Sequence, residues 1–178
     1  GDTVGPGGVF KALRTVPMLL EICEDIEDVA PNATLLNYTN PMAISCWAIS
    51  EATDVATIGL CHSVQHTTAD LAEYIGASKE RVKAWVAGIN HLAWFLRFEL
   101  DGQDAYPQLF EAMDNPEIFS RDTVRFEIMR QFGFFVTEST RHMSEYTPYF
   151  RTSESTINAF KLDQIPAGLK RRTTRVDD

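Results

Sequence analysis

The chain of 178 residues is long enough for one ordinary domain or for part of a larger protein. Its apolar content of 44% and its charged content of 23% are typical of a soluble globular protein rather than a disordered one. The net charge of −9 argues against nucleic acid and against an anionic membrane surface as partners. No apolar run reaches the roughly 18 residues that a membrane-spanning helix needs.

The cysteines indicate a reducing compartment. Cys23, Cys46 and Cys61 are an odd number and include no CxxC pair, which favours reduced thiols over a disulfide framework. The opening "GDTVGPGG" has neither the basic nor the apolar segment of a signal peptide. We therefore expect a cytoplasmic protein.

The first half of the chain predicts alternating helices and strands. Helical spacing over residues 8–30 is followed by the short apolar strand "ATLLNY" and by a helix that begins near Pro41. The strand "VATIGL" and the helix "SVQHTTADLAEYIGA" come next. This alternation is typical of a parallel α/β sheet, whose ligands collect beyond the carboxyl ends of the strands. The segments "NYTNP" and "LCHS" both stand at such ends.

The character of the chain changes after residue 82. The segment "VKAWVAGINHLAWFLRFELDGQDAY" predicts strands that are interrupted at "GINH", with a turn at "DG". The segments "YPQLFEAM" and "RDTVRFEIMRQFGFF" predict helices. We therefore divide the chain into residues 1–82, residues 83–151 and an unassigned tail of residues 152–178. The basic "KRRTTR" in that tail is interpreted as a solvated segment.

Two polar residues end the predicted strands and have metal-binding chemistry. Cys61 and His91 each follow an apolar segment, and a thiolate with an imidazole suits a divalent transition metal. The spacing of Cys61 and His91 by itself is also compatible with two residues that share no metal ion. Beside them, His62 is either a general acid or base or a polar residue that caps the next helix.

Three further residues have both a functional and a purely structural interpretation. Asn37 and Asn40 either hold ligand hydroxyl groups or hydrogen-bond to local backbone in the turn. Tyr146 stands in an aromatic-rich stretch, where it is either part of the core or a general base with a pKa lowered by a nearby cation.

Taken together, the segments match a known pattern. "GDTVGPGGVFKALRTVP", "LLNYTNPMA", "GLCHSVQ" and "GINHLAWFLRF" occur in this order, and "FGFFVTEST" with "HMSEYTPYF" follows. Over residues 1–151 the chain resembles family 4 of the glycoside hydrolases, especially the α-galactosidase branch. The resemblance implies the C-terminal part of a Rossmann-like, lactate/malate dehydrogenase-like parallel sheet, followed by part of an α+β substrate domain.

The resemblance also implies an unusual reaction, because this family is an exception to the two-carboxylate mechanism of glycosidases. In the family, NAD⁺ removes hydride from C3 of the sugar, and the ketone acidifies the proton at C2. A tyrosine base removes that proton, the aglycone is eliminated, water adds and the hydride returns. A Mn²⁺ ion, or another divalent metal, polarises the C2 and C3 oxygens.

The family's functional residues have counterparts here, and His62 stands where other branches carry an aspartate. By resemblance, the metal ligands are Cys61 and His91, the substrate-binding residues Asn37 and Asn40, the cofactor-binding residues Thr39 and Asn40, and the catalytic residues Tyr146 and His62.

The family pattern is longer and begins with a strand and a glycine-rich loop that hold the NAD pyrophosphate. We therefore expect a fragment that by itself binds NAD poorly or not at all and has little or no activity alone. We also expect it to self-associate as a homo-oligomer through an open sheet edge. The expected substrate is a small-molecule α-galactoside, with α-glucuronides, α-galacturonides and 6-phospho-glycosides left open. The alternatives are a lactate/malate dehydrogenase-like oxidoreductase and a non-catalytic, self-associating remnant.

Overall fold

The computed structural model describes residues 5–162. The first four residues of the glycine-rich opening and the basic "KRRTTR" segment lie outside this range. In the first half of the chain, helices and strands alternate as predicted. The elements are α1 (Pro6–Val29), β1 (Thr34–Asn37), α2 (Met42–Ala52), β2 (Ala56–Gly59) and α3 (Ser63–Tyr74).

Strands β1 and β2 form a parallel pair whose carboxyl ends meet at one edge. Asn37 lies opposite Gly59, and the Leu60 N–H continues the ladder with a 2.9 Å bond to the Asn37 carbonyl. Helix α2 approaches β2 closely, because a Cβ atom added to Gly59 would lie 2.9 Å from the sulfur of Met42. A small core between α1 and α2 holds the pair, and it includes Leu19, Cys23, Ile49 and Val55.

The second sheet is antiparallel and begins after a 3₁₀ turn at Lys79–Arg81. Its strands are β3 (Val82–Ile89), β4 (Leu92–Leu100), β5 (Gln103–Asp104) and β6 (Phe135–Val136). The sequence predicted strands interrupted at "GINH", and β3 and β4 are joined there as an antiparallel hairpin with its turn at "NH". Gly88 has a φ of +138°, and a Cβ atom there would lie 2.6 Å from Cα of Ala93, so the hairpin requires glycine.

Five helices complete the described part of the chain. They are α4 (Tyr106–Met113), α5 (Pro116–Arg121), α6 (Thr123–Phe132), α7 (Thr140–Tyr146) and α8 (Glu154–Ala159). The prediction that helix continues through "GFF" was wrong. Gly133 adopts a left-handed φ of 81° and ends α6, after which the chain enters β6. Helix α5 was not predicted from the sequence.

The main core lies between the antiparallel sheet and the helices α3, α4 and α6. Its fully buried side chains include Leu71, Phe95, Phe98, Leu109, Phe126, Met129 and Phe135. Helix α3, which follows the parallel pair, thus also packs on the second sheet. The α/β fold class that the sequence indicated is confirmed. Among the described residues, no helix is long and apolar enough to cross a membrane.

A buried tyrosine joins the core to β6. The Tyr106 hydroxyl donates a hydrogen bond to the Phe95 carbonyl and accepts one, 3.0 Å long, from the Phe135 N–H. Burial is the largest cause that raises the pKa of Tyr106 to about 12; the Asp104 charge adds to it and the Phe135 N–H opposes it.

An unfolded tyrosine ionises at about pH 10, and Tyr106 ionises at a higher pH in the folded protein. We expect the free energy of unfolding to fall as the pH rises between these two pKa values. Below that window the stabilisation is fully present, because Tyr106 is neutral in both states. Urea unfolding across this range tests the prediction. Tyr106→Phe should flatten the decline, whereas Tyr149→Phe, which alters an exposed ring, should not. Equal slopes in the two variants would contradict it.

Candidate active site

Two turns at the ends of strands bring Cys61 and His91 together. Cys61 follows β2 at the carboxyl edge of the parallel pair, and His91 lies in the tight turn between β3 and β4 with a φ of 65°. The predicted pair of metal-ligand side chains is therefore brought together by the fold.

A third ligand-type side chain, Glu138, lies in the same cluster. The Sγ of Cys61, a ring nitrogen of His91 and a carboxylate oxygen of Glu138 all lie within 4.8 Å of one another. The Nε2 of His91 is 3.8 Å from Oε1 of Glu138. The sequence did not single out Glu138, because it follows the two-residue strand β6 in a stretch whose pattern predicted helix up to Phe135.

The donor set of this cluster fits a divalent transition metal. Thiolate, imidazole and carboxylate are ligands of such ions, and they come here from three separate parts of the chain. The His91 side chain is 10% exposed and presents Nε2 to Glu138. Its buried Nδ1 has no hydrogen-bond partner among the described residues.

A serine hydroxyl connects two members of the cluster. The Oγ of Ser63 lies 3.0 Å from the Sγ of Cys61 and also hydrogen-bonds to the Glu138 carboxylate. The backbone N–H of Ser63 lies 3.5 Å from the same sulfur. Ser63 begins helix α3, and thus the cluster is fixed to the N-terminus of that helix.

The cluster lies in the wall of a polar cavity of about 580 Å³. Four of the sequence-predicted site residues line this cavity: Asn40, Cys61, His62 and His91. The remaining lining residues were not predicted, and they are Ser63, His66, Thr67, Asp70, Arg125, Thr137, Glu138, Ser139 and His142. The cavity is large enough for a small ligand and has the few convergent polar groups that ligand sites have.

His62 is exposed to this cavity. Its ring stacks on Tyr38 at 5.0 Å and on His66 at 5.7 Å. His62 precedes α3, but its side chain makes no capping hydrogen bond to that helix. His62 thus occupies the N-cap position of α3 that the sequence suggested, but its ring is not used for capping and stays available to the cavity.

Asn37 and Thr39 are not brought into the cavity. Asn37 is 3% exposed, and its side chain accepts a 2.9 Å hydrogen bond from the Thr39 N–H and donates to the Thr39 carbonyl at 3.4 Å. Its amide also lies 3.5 Å from the Sγ of Cys46. These contacts shape the loop that carries Asn40, so the expectation that Asn37 and Thr39 contact ligand directly has no support from their placement.

Tyr146 lies beside the cluster, next to the ring of His91. It ends helix α7, and its ring stacks with that of His91 at 6.4 Å and 17°. The His142 ring lies 5.6 Å from Tyr146, and the Nδ1 of His142 is 3.5 Å from Oε2 of Glu138. The sequence left His142 without a partner. In the structure it lies between the predicted base and the glutamate.

A buried ion network forms the floor of the polar cavity. The Arg125 guanidinium pairs with Asp122, lies 3.2 Å from Asp70 and donates a 2.8 Å hydrogen bond to Thr67. The Tyr74 hydroxyl donates to Asp122 at 2.6 Å. Burial lowers the pKa of Arg125, but the Asp122 charge and its hydrogen bonds outweigh this and raise the pKa overall.

A second cavity of about 490 Å³ adjoins the cluster on its other side and is mainly apolar. It is lined by Met42 of α2, by residues of β3 and by Cys61 and His91 themselves. The cluster thus separates a polar space from an apolar one.

Sequence models of family 4 glycosyl hydrolases match two stretches of the chain. The family model matches residues 1–77, and the model of the family's C-terminal domain matches residues 86–175. The chain belongs to glycosyl hydrolase family 4. This membership decides against the lactate/malate dehydrogenase-like alternative.

The relatives within family 4 include an α-galactosidase. The chain is 48% identical over 150 residues to an α-galactosidase of Bacillus subtilis strain 168, a match that covers 84% of this chain and 35% of that protein. The chain thus spans about one third of the length of this curated relative.

Solved structures of the family share the fold. A candidate glucosidase, lplD, from Bacillus subtilis matches with a TM-score of 0.79 and 26% identity over 97% of this chain and 45% of that one. A 6-phospho-alpha-glucosidase from gut microorganisms, in complex with NAD and Mn²⁺, matches with a TM-score of 0.70 and 21% identity. That match covers 89% of this chain and 38% of the other.

Proposed function

We propose that this chain carries the metal- and substrate-binding part of a family 4 glycosidase that cleaves α-galactosides with NAD and a divalent metal, preferably Mn²⁺. One observation supports the proposal above the others. Cys61 and His91, which the sequence selected as ligands, lie together in the wall of a cavity large enough for a sugar. The similarity to an α-galactosidase supports the choice of substrate.

Each site residue has its own role in the proposed reaction. Cys61 and His91 hold the metal, and Asn40 faces the sugar from the same cavity wall. When bound, the metal supplies Lewis-acid polarisation of sugar oxygens, and NAD supplies a hydride acceptor. Tyr146 accepts the proton from C2 of the sugar, and His62, exposed to the cavity, gives a proton to the leaving oxygen.

An assay with an aryl α-galactoside in deuterated water tests this function. Because the chain by itself is expected to bind NAD weakly, the assay is run at high NAD⁺ concentration. We expect whatever aryl alcohol is released to depend on both NAD⁺ and Mn²⁺, with solvent deuterium incorporated at C2 of the released galactose. Deuterium at C2 is the decisive readout, because direct displacement between two carboxylates leaves the C2 proton in place. Cleavage without deuterium at C2, or without any need for NAD⁺, would contradict the proposal. Parallel assays on α-galacturonide and 6-phospho-α-glucoside measure the sugar preference.

We also propose a reducing compartment such as the cytoplasm, which the free cysteines among the described residues support.

A further proposal concerns assembly. Helix α1 exposes several large apolar side chains, including Val9, Phe10, Leu13 and Met18. Exposed apolar side chains of this kind favour association, so the chain forms a homo-oligomer through α1. Light scattering on the purified chain and on Phe10→Glu measures the oligomeric size. An unchanged size would contradict a role for α1.

A further inference from the structure

We propose that Glu138 is the third protein ligand of the metal, so that the ion is held by a thiolate, an imidazole and a carboxylate. The inference deepens the proposed function and rests on it. The sequence suggested only Cys61 and His91. The third ligand follows β6, in a segment that is hydrogen-bonded to Ser63 and Thr67 of α3.

The geometry places the Glu138 carboxylate where a ligand is needed. All three donor atoms lie within 4.8 Å of one another, and the His91 Nε2 is 3.8 Å from Glu138 Oε1. Metal–ligand bonds of about 2.0–2.3 Å place an ion between donors that are this far apart. Ser63 hydrogen-bonds to Glu138 and contacts the Cys61 sulfur, which orients both toward the same point.

The burial of Glu138 points to a cation. The residue is 6% exposed, and its ion-pair partners within residues 5–162 are His91 and His142. The nearby Arg125 pairs with Asp122 and Asp70 instead. Removing a carboxylate from water is costly unless a cation lies beside it. A divalent ion at the cluster offsets that cost.

The backbone on both sides of Glu138 is fixed. On one side, the Thr137 N–H donates to the Ala93 carbonyl at 3.0 Å, and the Thr67 hydroxyl donates to the Thr137 carbonyl at 2.7 Å. On the other side, the Thr140 hydroxyl donates to Asp122 at 2.9 Å. This anchoring holds the carboxylate in place before any ion binds, as expected of a built site.

The experiment measures Mn²⁺ affinity by calorimetry under reducing conditions on the full chain and on three variants. Glu138→Gln removes the charge at nearly constant shape, and Glu138→Asp keeps the carboxylate but withdraws it by one methylene. Glu127→Gln is the matched control, because it removes one carboxylate on α6 that pairs with Arg130, away from the cluster. Circular dichroism of the metal-free proteins and the rise in melting temperature on adding Mn²⁺ are recorded beside the affinities.

We expect the Mn²⁺ dissociation constant to rise by about 10- to 100-fold or more in Glu138→Gln, at least the loss that supporting residues of metal sites cause. Glu138→Asp should lie between it and the parent, and Glu127→Gln should equal the parent. The Mn²⁺-induced rise in melting temperature should shrink in the same order.

A Glu138→Gln variant that binds Mn²⁺ as tightly as the parent, while Cys61→Ser does not bind, would overturn the inference and leave the two-ligand site intact. A parent chain that binds no Mn²⁺ would overturn the metal function itself, and the role of Glu138 with it.

Discussion

Tyr146→Phe is expected to lower the rate of α-galactoside cleavage by about 10²- to 10⁴-fold, the usual contribution of a positioned general base. The phenol oxygen is the only atom that the substitution removes, so the ring contacts with His91 and His142 remain. Mn²⁺ affinity should therefore stay at the parent value while turnover falls. We expect turnover and metal binding to respond differently because Tyr146 stacks on the ring of His91 but is not one of the metal ligands.

The matched control is Tyr149→Phe. Tyr149 is 58% exposed, and its substitution should leave both turnover and metal affinity unchanged. Steady-state rates at saturating substrate, NAD⁺ and Mn²⁺ compare the three proteins. A Tyr146→Phe variant that retains the parent rate, or that loses Mn²⁺ affinity in step with its rate, would contradict the assignment of Tyr146 as the base.

Asp122→Ala is expected to lower the free energy of unfolding by about 3–5 kcal/mol, the cost of breaking a buried ion pair by removing one partner. Asp122 is 3% exposed, and it accepts hydrogen bonds from Arg125, from the Tyr74 hydroxyl and from the Thr140 hydroxyl. After the substitution, the buried guanidinium retains only Asp70 as an ion-pair partner within the described residues.

Glu73→Ala is the comparison for this variant, because it breaks the exposed pair of Glu73 with Arg121, 2.8 Å apart. Exposed ion pairs contribute little, so this change should hardly alter the urea midpoint. Equal shifts of the midpoint in the two variants would show that the network under the cavity has no special stabilising role. A large shift in Asp122→Ala alone would support the view that the network anchors the segment carrying Glu138.

The sequence predicted the elements whose signals are local. Short apolar runs followed by polar residues identified β1 and β2, and the rule that ligands collect at the carboxyl ends of parallel strands directed attention to Cys61. The interruption "GINH" within a β-branched and aromatic segment placed His91 in a turn. Both expectations agree with the observed positions.

Other features depend on side-chain direction or on tertiary contacts, which the sequence pattern does not show. Asn37, the last residue of β1, is 3% exposed, whereas Tyr38, which follows the strand, is 55% exposed. Strand β6 has two residues, too few to show a period, and only the left-handed Gly133 and Phe134 separate it from α6. Glu138 follows β6 and was overlooked for that reason.

The buried ion-pair network of Arg125 likewise could not be predicted from the sequence. Its partners come from α3 and from the start of α6, and Arg125 and Asp70 are 55 positions apart in the chain. No helical or strand period indicates such a pair. An arginine within an amphipathic helix is usually solvated, and only the packing of α3 against α6 reveals that this one is buried.

The most direct test of whether this cluster is a metal site is X-ray absorption spectroscopy of the chain loaded with Zn²⁺ in place of Mn²⁺. We predict one sulfur ligand at about 2.3 Å together with nitrogen and oxygen ligands at about 2.0–2.2 Å, as for cysteine, histidine and carboxylate ligands of zinc. The sulfur contribution should vanish in Cys61→Ser and persist in Cys46→Ser. A first shell without sulfur in the parent chain would contradict the placement of the metal at Cys61.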